Sequence, residues 1–330
     1  MNATPLGHRD RTPAVLLVLW ALLLAWPWIA PNDYLLSLGG TFFINLLLIA
    51  SLNLLVGYTG LTSLAHAAFW GIGAYASGML AVHLAVSPWL GTLAAMLACG
   101  LFSVLIGWPT LRLSGHYLAM ATLGFNAIVS VLLVGLVAWT GGPNGLIGIP
   151  PYMLGSLDLS LPDNFYLLCW LVVGLVMLSL SFLRRSRTGR ALRAIRSSDI
   201  AAACMGIPVL RQKLAIFVLA NMLAGLAGAL YAHQNLFISP DSFSFSTSIL
   251  LLVMVAVGGF GQYWGAFFGA LIFTALPELV RSFHDTELLI LGAAMILVVG
   301  FMPGGIAGGL TGWLARRRAV PPAGRNGAQP

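Results

Sequence analysis

Long apolar runs separated by short polar turns dominate the chain. They fall at about Val15–Ala30, Leu35–Val56, Ser63–Val82, Trp89–Trp108, Tyr117–Trp139, Phe165–Leu183, Leu214–His233, Ser246–Val257, Tyr263–Val280 and Leu288–Met302. Most approach the roughly 20 residues that a helix needs to cross a bilayer. None shows the short alternation of a membrane strand. Because lipid offers backbone groups no hydrogen-bond partner, the pattern predicts an all-α integral membrane protein, a helical bundle of about ten transmembrane segments with broken or Gly-rich helices. The first run has the outline of a signal peptide, but no A-x-A cleavage site closes it, so it reads as a retained first helix.

One stretch interrupts the pattern. Residues 184–213 carry Arg184, Arg185, Arg187, Arg190, Arg193, Arg196, Arg211 and Lys213 against a single acid, Asp199, and so hold half of the 16 basic residues. Short loops this basic are retained on the cytoplasmic side during insertion. Ten spans then place both termini in the cytoplasm, which agrees with Arg9 and Arg11 at one end and Arg316, Arg317 and Arg318 at the other. The turn holding Arg112 falls inside. Residues 141–164, with Asp158 and Asp163 and no base, fall outside, as do Asp241 and the turn with Arg281, Asp285 and Glu287. The expected layout is a cytoplasmic tail 1–13, a membrane domain 14–303 containing the cytoplasmic loop 184–213 and the periplasmic loop 141–164, and a cytoplasmic tail 304–330.

Composition supports this layout. Hydrophobic residues make up 59% of the 330 and the mean hydropathy is +0.94, well above a soluble domain. The net charge of +7 sits at span ends and in one loop, so it reflects topology and lipid headgroups rather than nucleic acid. Cys99, Cys169 and Cys204 are scattered and suggest neither a disulfide framework nor a metal cluster.

The chemistry that is missing narrows the function. Ion-coupled carriers usually need an ionisable residue within the bundle, and here only His66, His233 and Glu278, the last near a span end, qualify. An intramembrane enzyme is disfavoured, since there is no H-E-x-x-H motif, no G-x-S-x-G elbow and no aspartate pair within a span. A phosphate loop needs a Lys, and the chain's one Lys, Lys213, follows Gln212. If ATP drives this protein, another subunit binds it.

Glycine clusters at Gly57-Tyr-Thr-Gly60 and at Gly258-Gly259-Phe-Gly261. Such clusters either let helices pack closely or mark broken, re-entrant helices lining a pathway. The likeness of the two turns is too short to establish an internal duplication.

The basic loop has its own order. Thr188 to Arg196 are good helix formers with Arg190, Arg193 and Arg196 forming a ridge. Ser197 or Ser198 can cap a second, short helix with Asp199 at its positive end. Ile200, Ala203, Cys204 and Ile207 then make an apolar stripe, Gly206 can end the helix in a left-handed conformation, and Pro208 stops it. Such a helix fits either a groove on a partner protein or the membrane surface, where the arginines would meet anionic lipid.

The order Ile200-Ala201-Ala202-Ala203-x-x-Gly206-Ile207 is similar to the coupling loop of ABC importer permeases. Gly57-Tyr-Thr-Gly-x-x-Ser63-Leu-x-His66-Ala-Ala-Phe69, Thr122-Leu-Gly-Phe125, Thr140-Gly-Gly-Pro-Asn-Gly145 and Gly258-Gly-x-Gly261 with Gly265, Gly269 and Ala270 resemble the permease family of branched-chain amino acid importers, the Thr140–Gly145 segment its LivM-like branch. The resemblance covers roughly residues 40 to 310. It implies a permease of a bacterial inner membrane that works by alternating access beside a paralogous permease subunit, two cytoplasmic ATPase subunits that bind ATP and Mg, and a soluble substrate-binding protein. It also implies that Asp199, Ile200, Ala201, Ala202, Ala203, Gly206 and Ile207 contact the ATPase. The chain departs from the family pattern at Ala127 and Ser130, where an acid and a base are usual, and at Leu61, Ala65 and Ala266, where Gln, Gly and Pro are common. These departures bear on the solute, which the resemblance implies to be a branched-chain amino acid or a related small polar molecule such as urea or a short amide. Its rival is a stand-alone channel or ion-coupled carrier. For the path, the polar residues beside the glycine breaks stand out, namely Ser63, His66, Thr122 and Asn126. Each can equally satisfy a hydrogen bond inside the bundle.

Overall fold

The computed structural model describes residues 20–29, 32–113, 115–155, 157–280 and 305. The expected tails apart from Gly305, residues 15–19 and 30 of the first apolar run, and the run Leu288–Met302 lie outside the described residues.

The remaining runs are helical. They form α1 (Asp33–Thr59), α2 (His66–Leu84), α3 (Pro88–Thr110), α4 (His116–Gly135), α5 (Pro162–Arg185), α8 (Val209–Asn235), α9 (Phe245–Gly258) and α10 (Tyr263–Val280), with α6 (Arg187–Ser197) and α7 (Asp199–Cys204) between α5 and α8. Six of them, α1 to α5 and α8, are long and apolar enough to cross a membrane. The protein is therefore a multi-pass helical membrane protein. Helix α9 differs from the span expected of Ser246–Val257. Its 14 residues rise only about 21 Å, less than the roughly 30 Å of a hydrocarbon core, and a short glycine turn folds α10 back against it. The hairpin closes tightly, since a Cβ on Gly269 would lie 2.6 Å from the Met254 carbonyl.

Burial separates centre from rim. About two thirds of the most apolar stretch of α1 and of α8 (67% each) is buried, against 28% in α4 and 22% in α5. A helix that is apolar all round and buried all round belongs in the middle, and α1 and α8 form that middle, with α5 and α10 against α1 and with α2 and α3 against α8. The outward faces of α3, α4 and α5 carry exposed residues such as Leu101, Leu105, Met120, Val131 and Phe182, as a surface bathed in lipid requires.

Close approach depends on glycines the motif reading passed over. A Cβ on Gly73 of α2 would strike the backbone of Gly225 on α8, one on Gly228 would strike the Trp70 carbonyl, and one on Gly225 would lie 2.6 Å from Cys99 Sγ on α3. Small residues at such positions let dispersion act between backbones where no hydrophobic drive between helices exists.

Bundle and loops meet at two ends. At one, α1 and α5 finish, α8 starts, and α6 and α7 pack. At the other, the segment between α4 and α5 makes short strand pairings. Leu146–Ile147 pair antiparallel with Phe237–Ile238, and Met153–Leu154 with Leu157–Asp158. The Thr140–Gly145 motif makes its turn with Gly141, Gly142 and Gly145 all at positive φ. His233 Nδ1 donates to the Pro150 carbonyl at 2.6 Å, which ties this loop to the end of α8.

Overfilling the α2–α8 contact should be costly. Gly73→Leu should lower the thermal unfolding midpoint in detergent, or prevent recovery of monodisperse protein, because overpacking against backbone costs about 1–3 kcal/mol or more. Gly124→Ala on α4, where a new Cβ meets nothing within 4 Å, should leave the midpoint unchanged or raise it. Equal losses in both variants would remove this contact as the organising one.

Candidate functional site

Between α1 and α2 the chain is not helical. Helix α1 ends at Gly60, whose φ of +72° closes it, and α2 begins at His66. The His66 ring lies 2.8 Å from Ser51 Oγ, and Ser51 stands eight residues, about 12 Å of helix rise, before the end of α1 at Thr59. Residues 60–65 therefore run back alongside α1 into the bundle before coiling begins. The break expected at the first glycine cluster is present, and its non-helical segment turns Leu61, Ser63 and Ala65 inward while Thr62 is exposed.

An extended backbone inside an apolar bundle must find partners. Side chains of α4 and α9 supply them. Leu64 N–H donates to Thr122 Oγ1 at 3.0 Å, and Asn126 Nδ2 donates to the Leu64 carbonyl at 3.2 Å and to Ser248 Oγ at 2.9 Å. Ser248 Oγ also accepts from Ala67 N–H at 3.2 Å, in the uncapped first turn of α2. Ser63 Oγ accepts from Ala65 N–H at 3.4 Å. Ser63, His66, Thr122 and Asn126 are all at most 2% exposed. The structure thus gathers the four residues singled out beside the glycine breaks, and three of them bond the broken backbone.

His66 holds a different position in the cluster. Ser51 Oγ donates to the Leu48 carbonyl at 2.8 Å, so its oxygen accepts from His66 Nε2–H, and Nδ1 is left as the bare acceptor. Among the described residues neither that nitrogen nor Asn126 Oδ1 has a well-formed hydrogen bond, and the Asn221 amide, itself without one, lies beside the ring. The result is a buried cluster of donors and acceptors that are not all paired among the described residues. Ser51, Asn221 and Ser248 belong to it although the motifs did not point to them. Their signal was a polar residue alone inside an apolar run, which is costly without a partner.

The basic loop divides into two helices. Ser186 caps α6, its Oγ accepting from Gly189 N–H at 3.2 Å, and Leu192 and Ile195 are buried beneath it. The arginine ridge meets protein. Arg190 donates to the Arg185 carbonyl at 3.2 Å and Arg193 to that of Arg184 at 3.0 Å, at the end of α5, while Arg196 donates to the Gly57 carbonyl near the end of α1. These are carbonyls at the negative ends of helices, where a cation is favoured.

Helix α7 follows directly. Ser198 is the cap, its Oγ accepting from Ala201 N–H at 3.2 Å, and Asp199 pairs with Lys213 at 2.5 Å across to α8. Gly206, at φ +81°, closes the helix with paired bonds from its own N–H to Ala203 and from Ile207 N–H to Ala202, a Schellman turn. Ala202 faces inward at 2% exposure, whereas Ile200 at 79% and Met205 at 83% stand free of the chain. Ala201, Ala203 and Cys204 are also exposed and Ile207 is half-buried, so most of the apolar stripe points away from the bundle.

The flagged glycines combine packing and turning. Gly57 abuts Gly261, a Cβ on it lying 2.8 Å from Gly261 Cα, and a Cβ on Gly258 would collide with the Gly265 carbonyl. Gly60, Gly259 and Gly261 have positive φ.

The brace around Leu64 has a measurable consequence. Asn126→Leu would strand the Leu64 carbonyl and remove a donor to Ser248, at about 1–3 kcal/mol for a buried group left unpaired. The expected outcome is a lower unfolding midpoint in detergent, and an unchanged midpoint would show that the extended segment does not depend on α4.

Comparison with known proteins places the chain in a family. A family model described as branched-chain amino acid transport system, permease component, matches residues 34–299. The high-affinity branched-chain amino acid transport system permease protein LivM of Escherichia coli K12 is 33% identical over 323 residues, which cover 91% of this chain and 76% of that protein. LivH of Salmonella typhimurium is 28% identical over 294 residues, 82% of this chain and 92% of its own. The autoinducer 2 import system permease protein LsrC of Klebsiella pneumoniae is 30% identical over 179 residues, 53% of this chain and 50% of its own. No solved structure matches. With six membrane-crossing helices, a buried backbone break and a family match along most of its length, the chain belongs to the permease family of branched-chain amino acid transport systems.

Proposed function

We propose that this permease is the membrane-spanning subunit of an ATP-driven importer that moves branched-chain amino acids, or a related small polar solute, by alternating access. The observation that carries the reading is α7, a short capped helix braced to the bundle through Asp199–Lys213 while Ile200 and Met205 project free of it. An apolar knob on such a mount suits insertion into a groove of a separate protein, which in this reading is an ATPase. Two such subunits would bind ATP and Mg. A paralogous permease would complete the pore, as the LivM and LivH names of two relatives suggest, and a soluble binding protein would deliver the solute.

In this reading Asp199 to Ala203 with Gly206 and Ile207 form the ATPase contact. Gly57, Gly60, Gly258, Gly259 and Gly261 serve as hinges, and Ser63, His66, Thr122 and Asn126 border the path. The neutral cluster around His66 suits a solute without net charge, because neither a carboxylate nor a cationic side chain is among the residues that build it. The ten-span layout, with both termini and residues 184–213 in the cytoplasm of a bacterial inner membrane and residues 141–164 outside, belongs to the same proposal. Relatives named for branched-chain amino acids support that solute class, while the LsrC match leaves room for another small polar molecule.

Reconstituted with its ATPase and permease partners, the chain should take up a branched-chain amino acid only when ATP is hydrolysed. Uptake that survives a non-hydrolysable analogue but stops when ion gradients collapse would identify an ion-coupled carrier instead. Ile200→Asp places a charge on an exposed position and should leave the unfolding midpoint unchanged. It should also reduce recovery of the ATPase with the permease by about tenfold or more, a centrally placed apolar anchor being worth about 2 kcal/mol. Full recovery of the ATPase would exclude α7 as the docking element.

A further inference from the structure

The two glycine turns lie against each other at the end of the bundle where α6 packs, and the side chain of Arg196 sits between them. Its Nη1 donates to the Gly57 carbonyl. A Cβ on Gly261 would collide with that same Nη1, and a Cβ on Gly60 would lie 3.8 Å from Arg196 Cγ. Asn53, one turn before Gly57 on α1, grips the second turn from the other side. Its Oδ1 accepts from Gly261 N–H at 2.8 Å and its Nδ2 donates to the Gln262 carbonyl at 2.9 Å.

Each turn leads toward the buried polar cluster. Past Gly60 the chain enters the extended segment held by Thr122 and Asn126, and Gly258 ends the helix that carries Ser248. On its other side Arg196 belongs to α6, which is joined to α7 by Ser198 alone, at once the end of one helix and the cap of the next. Arg196 and Ser198 thus join α7 to the two glycine turns.

We infer that Arg196 is the positioning residue through which a displacement of α7 reaches both glycine turns together. The inference rests on the ATP-driven reading above. A cap on α1 needs only a donor at the Gly57 carbonyl, and a Lys would serve. The geometry exceeds that need, because the planar guanidinium bonds one turn while its edge fills the space that the missing side chain of Gly261 leaves at the other. An ammonium is a single point of charge and does not span two turns in this way. The glycines act in the same arrangement, since only a residue without Cβ admits the guanidinium at Gly261 and lets that turn abut Gly57.

The test measures hydrolysis and uptake on the same reconstituted complex. For Arg196→Met, ATP hydrolysis should stay within about twofold of the unaltered complex while solute moved per ATP falls by about tenfold. Arg196→Lys, which keeps charge and a donor for the Gly57 carbonyl, should fall between. Asn53→Ala, which releases the second turn from α1, should lower the same ratio. Hydrolysis and uptake that decline in parallel, together with a lower unfolding midpoint, would make Arg196 a structural cap and overturn the proposal. An unchanged ratio in both arginine variants would overturn it as well. If the unaltered complex shows no ATP-driven uptake, the importer reading itself has failed, and the control separates that failure from a fault in the assignment of Arg196.

Discussion

A backbone group buried in an apolar bundle must find a protein partner, and most of this structure answers that demand. Helices satisfy it internally, which is why long apolar runs become α1 to α5 and α8. The segment between Gly60 and His66 does not, and it survives because Thr122, Asn126 and Ser248 hold Leu64 and Ala67 from two other helices. The cost of an unmade bond there is high in the absence of water. Several polar residues of the interior are therefore gathered where regular structure stops. Among the described residues this cluster also leaves His66 Nδ1 and the Asn221 amide without a well-formed hydrogen bond, a property suited to a passing polar solute.

Helix ends pose the same problem at the edge of the bundle. The last carbonyls of α1 and α5 would lack partners, and arginines of α6 reach them from a different part of the chain. Charge that reads in one dimension as a topological marker is in three dimensions a set of helix caps, and its lipid-facing role is correspondingly smaller. Capping also fixes the position of α6, and through Ser198 that of α7. The apolar stripe on α7 is thereby presented on a rigid mount.

Much of this was legible in the chain. The runs at Leu35, Trp89, Phe165 and Leu214 match helices within a few residues, because hydropathy is a local property and lipid selects for it. Gly206 and Pro208 predicted the end of α7 for an equally local reason, the left-handed turn. The run at Ser63 hid a change of conformation, since Ser63 to Ala65 continue into the apolar stretch that follows and only their neighbours keep them out of α2. The run at Ser246 yielded a helix too short to cross unaided, its length set by the glycine turn rather than by hydropathy.

By itself the sequence determined that the chain is a polytopic helical membrane protein with one basic loop carrying a capped apolar helix, and its motifs pointed to a permease family. Tertiary structure decided which polar residues meet. Asn221 and Ser248 lie far along the chain from Ser51 and Asn53, and no local pattern links the four to His66 or to the glycine turns. It also decided what the arginines do, because whether a guanidinium faces lipid or a helix end depends on where α1 and α5 finish. The physical reason is the same in both cases: hydropathy and turn propensity act along the chain, whereas hydrogen-bond partners for a broken backbone are chosen across it.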